Sequence, residues 1–240
     1  MDKFTFDTNQ KLLRKRLLEI SYLRKQSHLG SCLTSIDLID AVYQIKNKND
    51  IFVLSCGHAA FAWYVVLEKY GFLKEKDLMK FNVHPDRNPS LGIEVSAGSL
   101  GQGLPIAVGM ALADSSRNIY CLVSDGECAE GSIWESLRII SDKKINNLKL
   151  IVNANGWGCY DPISKESLQK RLQGFGFNVQ SIIGDDINQV KSILLQMQNQ
   201  PSDILFAKTN NNQFPFLKDL DAHYYTMPEK DYQLALELLI

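Results

Sequence analysis

Residues 119–161, IYCLVSDGECAEGSIWESLRIISDKKINNLKLIVNANGWGCYD, constrain the fold of this chain more than any other stretch. An apolar run over 119–123 is closed by Ser124-Asp125-Gly126. A short apolar run ending in a glycine turn suits a buried parallel strand. A helical pattern follows, with Ile133, Trp134, Leu137, Ile140 and Ser141 on one stripe. A second strand, 148–152, then runs into Asn153-Ala154-Asn155-Gly156. The whole is one βαβ unit. Its two strands end at the same edge of the sheet, so Asp125 and Asn155 should lie near each other, where open α/β sheets bind ligands. A carboxylate, an amide oxygen and a nearby main-chain carbonyl are hard donors suited to Mg²⁺ or Ca²⁺, and Mg²⁺ usually takes further ligands from phosphates. Taken singly, Asp-Gly and Asn-Gly are common turn dipeptides.

The rest of the chain continues the alternation. Residues 4–22 carry an amphipathic helical pattern, residues 27–31 a break, and residues 35–43 a second helix capped by Thr34 or Ser35. A strand over 51–55 turns through Cys56-Gly57-His58 into a helix over 59–70, with Gly71 at its C-terminal cap. A short helix, 73–81, leads to a Pro- and Asn-rich loop, 82–96, and then to Ser96-Ala97-Gly98-Ser99-Leu100-Gly101-Gln102-Gly103. Gly98, Gly101 and Gly103, at the entry to a helix over 104–113, would let the backbone approach a ligand closely. Helices over 165–175, 187–197 and 230–240 and strands over 178–183 and 203–207 complete the reading. The expected fold is α/β, a mostly parallel sheet with helices on both faces. No linker divides the chain, so residues 1–240 are read as one domain.

Composition enters mainly by exclusion. Hydrophobic content of 45% supports a sizeable core, and a net charge of −1 leaves no electrostatic footprint for nucleic acid or an anionic membrane. The N-terminus has no apolar signal segment, and no apolar run is long enough to span a bilayer. Five cysteines, Cys32, Cys56, Cys121, Cys128 and Cys159, are odd in number and lack paired metal spacing, which points to reduced thiols in a cytoplasm.

The four histidines, His28, His58, His84 and His223, all fall in loops or at element ends. Asp125 and Asn155 are 155 − 125 = 30 residues apart. That spacing resembles the thiamine-diphosphate motif, in which Gly-Asp-Gly is followed about thirty residues on by Asn. Asp125-Gly126, Glu130-Gly131 and Glu135 further resemble the Asp-Gly-x-x-x-Glu-Gly-x-x-x-Glu pattern of transketolases. Ser27-His28-Leu29-Gly30 is similar to that family's Gly-His-x-Gly, and Leu54-Ser55-Cys56-Gly57-His58 to its Leu-Ser-x-Gly-His. His84-Pro85-Asp86 is similar to His-Pro-Glu, and residues 92–103 to its longest signature. His223 follows the last strand, as a family histidine does. Two positions depart: Ser124 stands where the motif has Gly, and Asn153 where Asp is common.

The resemblance, over about residues 17–224, implies thiamine diphosphate and Mg²⁺ (or Ca²⁺) as cofactors. Asp125, Asn155 and the main-chain carbonyl of Trp157 would hold the metal. Gly126 would offer its N–H to phosphate, and His58 and His223 would donate to the diphosphate. Gly98 and Leu100 would line the cofactor, and Glu127 is counted with the cofactor-binding residues. His28 and His84 would contact sugar hydroxyls and shuttle protons, with His223 beside them. Glu130 and Glu135 would join a proton-linking carboxylate chain between two active sites, although acidic residues near a helix start also compensate its dipole. A full transketolase carries a second domain with the glutamate that activates the aminopyrimidine. The expectation is therefore an N-terminal subunit of a split transketolase. It would transfer a two-carbon ketol unit from a ketose to an aldose, with a separate C-terminal subunit in an α₂β₂ assembly. Alternatives are a transketolase-like chain for modified or nucleotide-linked sugars, a 1-deoxyxylulose-5-phosphate synthase-like enzyme, and a regulatory remnant of the fold.

Overall fold

Five strands form one sheet: β1 (Ile51–Leu54), β2 (Ile119–Ser124), β3 (Leu148–Ala154), β4 (Asn178–Ile183) and β5 (Asp203–Lys208). Their order is β1-β2-β3-β5-β4, and every pairing is parallel. Ile119 of β2 is in register with Ile51 of β1 and Leu148 of β3. The computed structural model describes residues 5–158, 160–199 and 203–240. Phe4, at the start of the first expected helix, and Cys159 lie outside the described residues.

Ten helices accompany the strands: α1 (Thr8–Arg24), α2 (Leu29–Ile45), α3 (Ala60–Lys69), α4 (Glu75–Leu78), α5 (Gly103–Ala113), α6 (Gly131–Lys143), α7 (Lys165–Gln173), α8 (Ile187–Asn199), α9 (Asp221–Tyr224) and α10 (Glu229–Leu238), counted among the described residues. They cover both faces of the sheet. The pleat divides the strand side chains accordingly. Phe52, Leu54, Tyr120, Leu122, Ile151 and Leu205 join a core with α1, α2, α3 and α8. Val53, Ile119, Cys121, Val123, Leu150, Val152, Ile204 and Phe206 join the other, with α5, α6 and α7. β2 and β3 are buried along their whole length, as strands covered on both faces must be.

Local chemistry moves several helix boundaries from their expected places. α1 starts at Thr8 because Asp7 caps it: the Asp7 carboxylate accepts from the Gln10 N–H at 2.7 Å, and the Gln10 side chain accepts from the Asp7 N–H at 3.1 Å. α2 is the larger correction. It begins at Leu29, with His28 at the N-cap in the left-handed region (φ 63°), so neither Thr34 nor Ser35 is a cap. The expected break, 27–31, is confined to Ser27 and His28; residues 29–31 are helical and are packed by a second element, for a Cβ at Gly30 would lie 3.1 Å from the Ala222 Cβ of α9. Thr34 and Ser35 sit inside the helix and turn their hydroxyls to Asn153, whose amide nitrogen donates to each at 3.0 Å. The Asn153 oxygen accepts from the Thr209 hydroxyl at 2.6 Å, so this buried amide ties α2, β3 and the chain after β5 together. α4 is shorter than expected, and α9 was not foreseen.

Candidate active site

The expected site residues leave the sheet at one edge. Gly57 and His58 follow β1, Asp125 and Gly126 follow β2, Asn155 and Trp157 follow β3, and the segment bearing His223 follows β5. β1, β2 and β3 are neighbours, so three of these strand ends stand side by side. A cleft of about 210 Å³ opens there. Of the expected residues, His28, His58, His84, His223, Gly98, Leu100, Gly126, Asn155 and Trp157 line it.

Backbone contacts bring the histidines together. The His28 N–H donates to the His223 carbonyl at 2.8 Å, which docks α9 on the start of α2. The His28 and His223 rings are then 4.6 Å apart and nearly perpendicular, with His58 at 5.5 Å from His28 and 5.7 Å from His223. His84 arrives on the loop before α5, its ring against Gly98. That loop presses on the end of β1 so closely that a Cβ at Gly57 would lie 2.7 Å from the Ala97 carbonyl carbon. Burial, with repulsion from the neighbouring rings, lowers His28 to about 4 and His58 to about 3, burial being the larger cause in each, and burial also lowers His223. A neutral imidazole keeps one N–H donor and one acceptor. His28 Nδ1 is buried with no hydrogen-bond partner, which suits a polar ligand group placed against it.

Asp125 sits one step deeper. Its carboxylate accepts from the Gly156 N–H at 2.6 Å and from its neighbour Gly126 at 3.0 Å. Burial pushes it up to about 7 despite those bonds and the nearby Lys165. A cation beside it would reverse that shift. The Asn155 side-chain oxygen accepts from the Trp157 N–H at 2.9 Å, which orients the amide. The Trp157 carbonyl oxygen lies over the β2 turn, 3.7 Å from where a Gly126 Cβ would be. One carboxylate, one amide oxygen and one carbonyl thus stand at the ends of the neighbouring strands β2 and β3. Among the described residues no group of three or more His, Cys, Asp or Glu could hold a metal, so a divalent ion here would depend on these oxygens plus those of a phosphate ligand. The donor set therefore fits a diphosphate–Mg²⁺ unit and would be thin for a bare ion. Asp125 itself is not among the residues lining the histidine cleft; it lines a second cavity, with Ser164, Ser167 and Arg171.

Other expected residues take different places. Glu127 is fully buried away from the cleft. Its carboxylate accepts from the Ser55 hydroxyl at 2.7 Å, the Gly101 N–H at 2.9 Å and the Ser124 N–H at 3.0 Å. It holds three loops together, and its acceptor positions face protein. Gly101 (φ 77°) and Gly103 meet Ser132 and Ser55 rather than the cleft, so of the three loop glycines only Gly98 is open to it. The Gly126 N–H is given to Asp125, so reaching a phosphate would require that bond to be exchanged. Glu130 is exposed, and Glu135 is exposed in a bidentate pair with Arg138. Neither lines the cleft. Ser31, Ser124 and Gly158 do line it and were not expected. Their signals were positional: Ser31 is one turn past His28, Ser124 ends β2, and Gly158 follows Trp157.

A parallel α/β domain with phosphate-compatible donors at its strand ends defines a class of diphosphate-binding proteins. Residues 25–210 match the family described as transketolase, thiamine diphosphate binding domain. A relative in Actinobacillus succinogenes, named as one subunit of an apulose-4-phosphate transketolase, is 30% identical over 88% of this chain and 87% of its own length. The protein of the same name in Phocaeicola vulgatus is 33% identical over 78% and 75%. A transketolase structure from Campylobacter jejuni superposes with a TM-score of 0.83 at 26% identity, over 96% of this chain. The chain spans 42% of the length of that transketolase. This chain belongs to the transketolase family, as a thiamine-diphosphate-binding domain of it.

Proposed function

We propose that the chain is the diphosphate- and metal-binding subunit of a transketolase that moves a two-carbon ketol unit from a ketose to an aldose. The observation that carries this reading is the convergence of all four histidines with Gly98, Leu100, Gly126, Asn155 and Trp157 on one cleft beside Asp125. Thiamine diphosphate, when bound, supplies the carbanion chemistry of such a transfer. The residues of this chain hold and orient. Asp125, Asn155 and the Trp157 carbonyl hold Mg²⁺, while His58 and His223 donate N–H groups to the diphosphate. His28 and His84 meet sugar hydroxyls and pass protons. The relatives named for apulose 4-phosphate support a sugar phosphate as substrate. The two roles separate in mutants. His84→Ala should lower turnover more than cofactor affinity, and His58→Ala the reverse, read by steady-state kinetics beside calorimetry. Identical behaviour would merge the two roles.

A separate C-terminal subunit completes the site. The relatives named as single subunits of a larger transketolase support it. So does the cleft: among the described residues no glutamate lines it, so the carboxylate that activates the aminopyrimidine has to come from elsewhere. Two copies of each chain make an α₂β₂ assembly with two such sites. The surface for self-pairing is the outer face of α5. No charged residue occurs from Gly103 to Ala113, Ile106 and Leu112 are exposed, and a Cβ at Gly109 would meet nothing within 4 Å. A helix apolar all round is ordinarily covered, and two-fold pairing is the commonest way to cover it. Glu130 is the N-cap of α6 and Glu135 lies within it, and α6 packs against α5. A cytoplasmic setting belongs to the same proposal, supported by Cys32, Cys56, Cys121 and Cys128, all buried and unpaired. Among the described residues no helix is long and apolar enough to cross a membrane. The test is light scattering and a ketol-transfer assay with and without the candidate C-terminal chain. Activity only in the mixture, at the mass of two copies of each, is expected. Full activity from this chain alone overturns the shared-site reading.

A further inference from the structure

Lys165 is the first residue of α7, directly after the Ser164 cap. A cation at the N-terminal end of a helix opposes the helix dipole, and partial burial works further against its charge. Contacts made elsewhere therefore keep it there. Its ammonium donates to the Thr209 carbonyl at 2.8 Å. Thr209 follows β5 and is itself tied to β3, its N–H donating to the Ala154 carbonyl at 3.1 Å and its hydroxyl to the Asn153 oxygen at 2.6 Å. On the way to Thr209 the Lys165 side chain crosses Gly156: a Cβ at Gly156 would lie 3.0 Å from the Lys165 Cε. Lys165 lines neither the histidine cleft nor the cavity beside Asp125, so any influence on the site runs through the backbone it touches.

That backbone joins Asn155 to Trp157, whose oxygens are two of the three donors proposed for Mg²⁺. Gly156 has φ 91°, a conformation that side chains rarely adopt. Its N–H donates to the Asp125 carboxylate at 2.6 Å, and its carbonyl accepts from the Ile163 N–H at 2.8 Å. The Lys165 stem closes a third side. With the ammonium anchored on Thr209, the turn cannot slide past the end of β3 without displacing that stem. Mg²⁺ demands near-ideal octahedral geometry from its oxygen ligands, whereas Ca²⁺ accepts a looser and more variable set. Resting on the metal-binding reading above, we propose that Lys165 is a positioning residue, which holds the Asn155–Trp157 turn in the geometry that favours Mg²⁺ over Ca²⁺. It buttresses the donors from behind and touches neither the ion nor the cofactor.

The experiment measures thiamine diphosphate binding to the two-chain complex by calorimetry, once with Mg²⁺ and once with Ca²⁺. Lys165→Ala should lower the ratio of the Mg²⁺-supported to the Ca²⁺-supported affinity about tenfold, the low end of the loss for an outer-shell partner of a metal site. Lys165→Arg keeps a charged donor on a long stem and should recover most of the ratio. Lys165→Met keeps the stem on Gly156 and loses only the bond to Thr209, so its ratio should fall between parent and alanine; it also serves where the alanine variant does not fold. The ratio is read within one variant, so a general loss of stability leaves it unmoved. An equal loss with both ions overturns this inference, since Lys165 would then act through its charge near Asp125 or through folding. So does affinity unchanged with both. Either result leaves the metal site itself standing. If the parent complex binds thiamine diphosphate with neither ion, the proposed function fails and this inference with it.

Discussion

Replacing Asp125 with alanine is expected to weaken Mg²⁺-dependent binding of thiamine diphosphate by about 100-fold or more, because a direct metal ligand is removed and even outer-shell losses cost roughly 10–100-fold. Asp125 is the sole carboxylate among the three donors proposed for the ion, and the other two carry no charge. Burial pushes the Asp125 carboxyl up to about 7, because the charged form is desolvated there. Asp125→Asn separates charge from shape. It keeps an oxygen for one of the two glycine N–H groups and removes the charge, so it should lose nearly as much affinity. Calorimetry in the presence of the partner chain reads both, with circular dichroism as the check on folding. Affinity unchanged in either variant would remove Asp125 from the metal site.

Glu127→Ala should act on stability rather than on the ligand. The substitution strands the Ser55 hydroxyl and the Gly101 and Ser124 N–H groups in a buried space. Each orphaned donor costs about 1–3 kcal/mol, so a total of about 3 kcal/mol or more is expected. In a chain of this size that is a fall in melting temperature of roughly 6–12 °C. Glu127→Gln should recover part of it, because one oxygen can still serve Ser55 and Gly101 while the amide nitrogen faces the Ser124 donor. Differential scanning calorimetry of the three proteins measures the order. A melting temperature unmoved by Glu127→Ala would mean that the three loops do not depend on this carboxylate.

The sheet was legible because its strands are short apolar runs punctuated by turn residues, and because helices separate them. Both signals are local. The histidines were legible only as motifs, since residues 28, 58, 84 and 223 become neighbours through the order of the strands, which no single segment specifies. The errors have the same origin. Thr34 and Ser35 look like caps in a local reading, but Asn153, more than a hundred residues away, claims their hydroxyls. Glu127 is two residues from Asp125 in the chain. A 3₁₀ turn over Gly126–Ala129 points the two carboxylates to different surroundings. Gly101 and Gly103 read as a ligand-facing loop, and their space is taken by Ser132 and Ser55. Small residues report that something comes close without saying whether it is ligand or protein.

The location of the metal tests the central claim most directly, because Asp125 lines the cavity that holds Ser164, Ser167 and Arg171, while Gly126, Asn155 and Trp157 line the histidine cleft. The measurement is a crystal structure of the assembled complex with thiamine diphosphate and Mn²⁺ in place of Mg²⁺, read from the anomalous signal of the manganese. A single peak bonded to the Asp125 carboxylate, the Asn155 side-chain oxygen and the Trp157 carbonyl, with the diphosphate beside His58 and His223, is the predicted result. A peak on the Ser164 side of Asp125, or a diphosphate bound away from the four histidines, would contradict it.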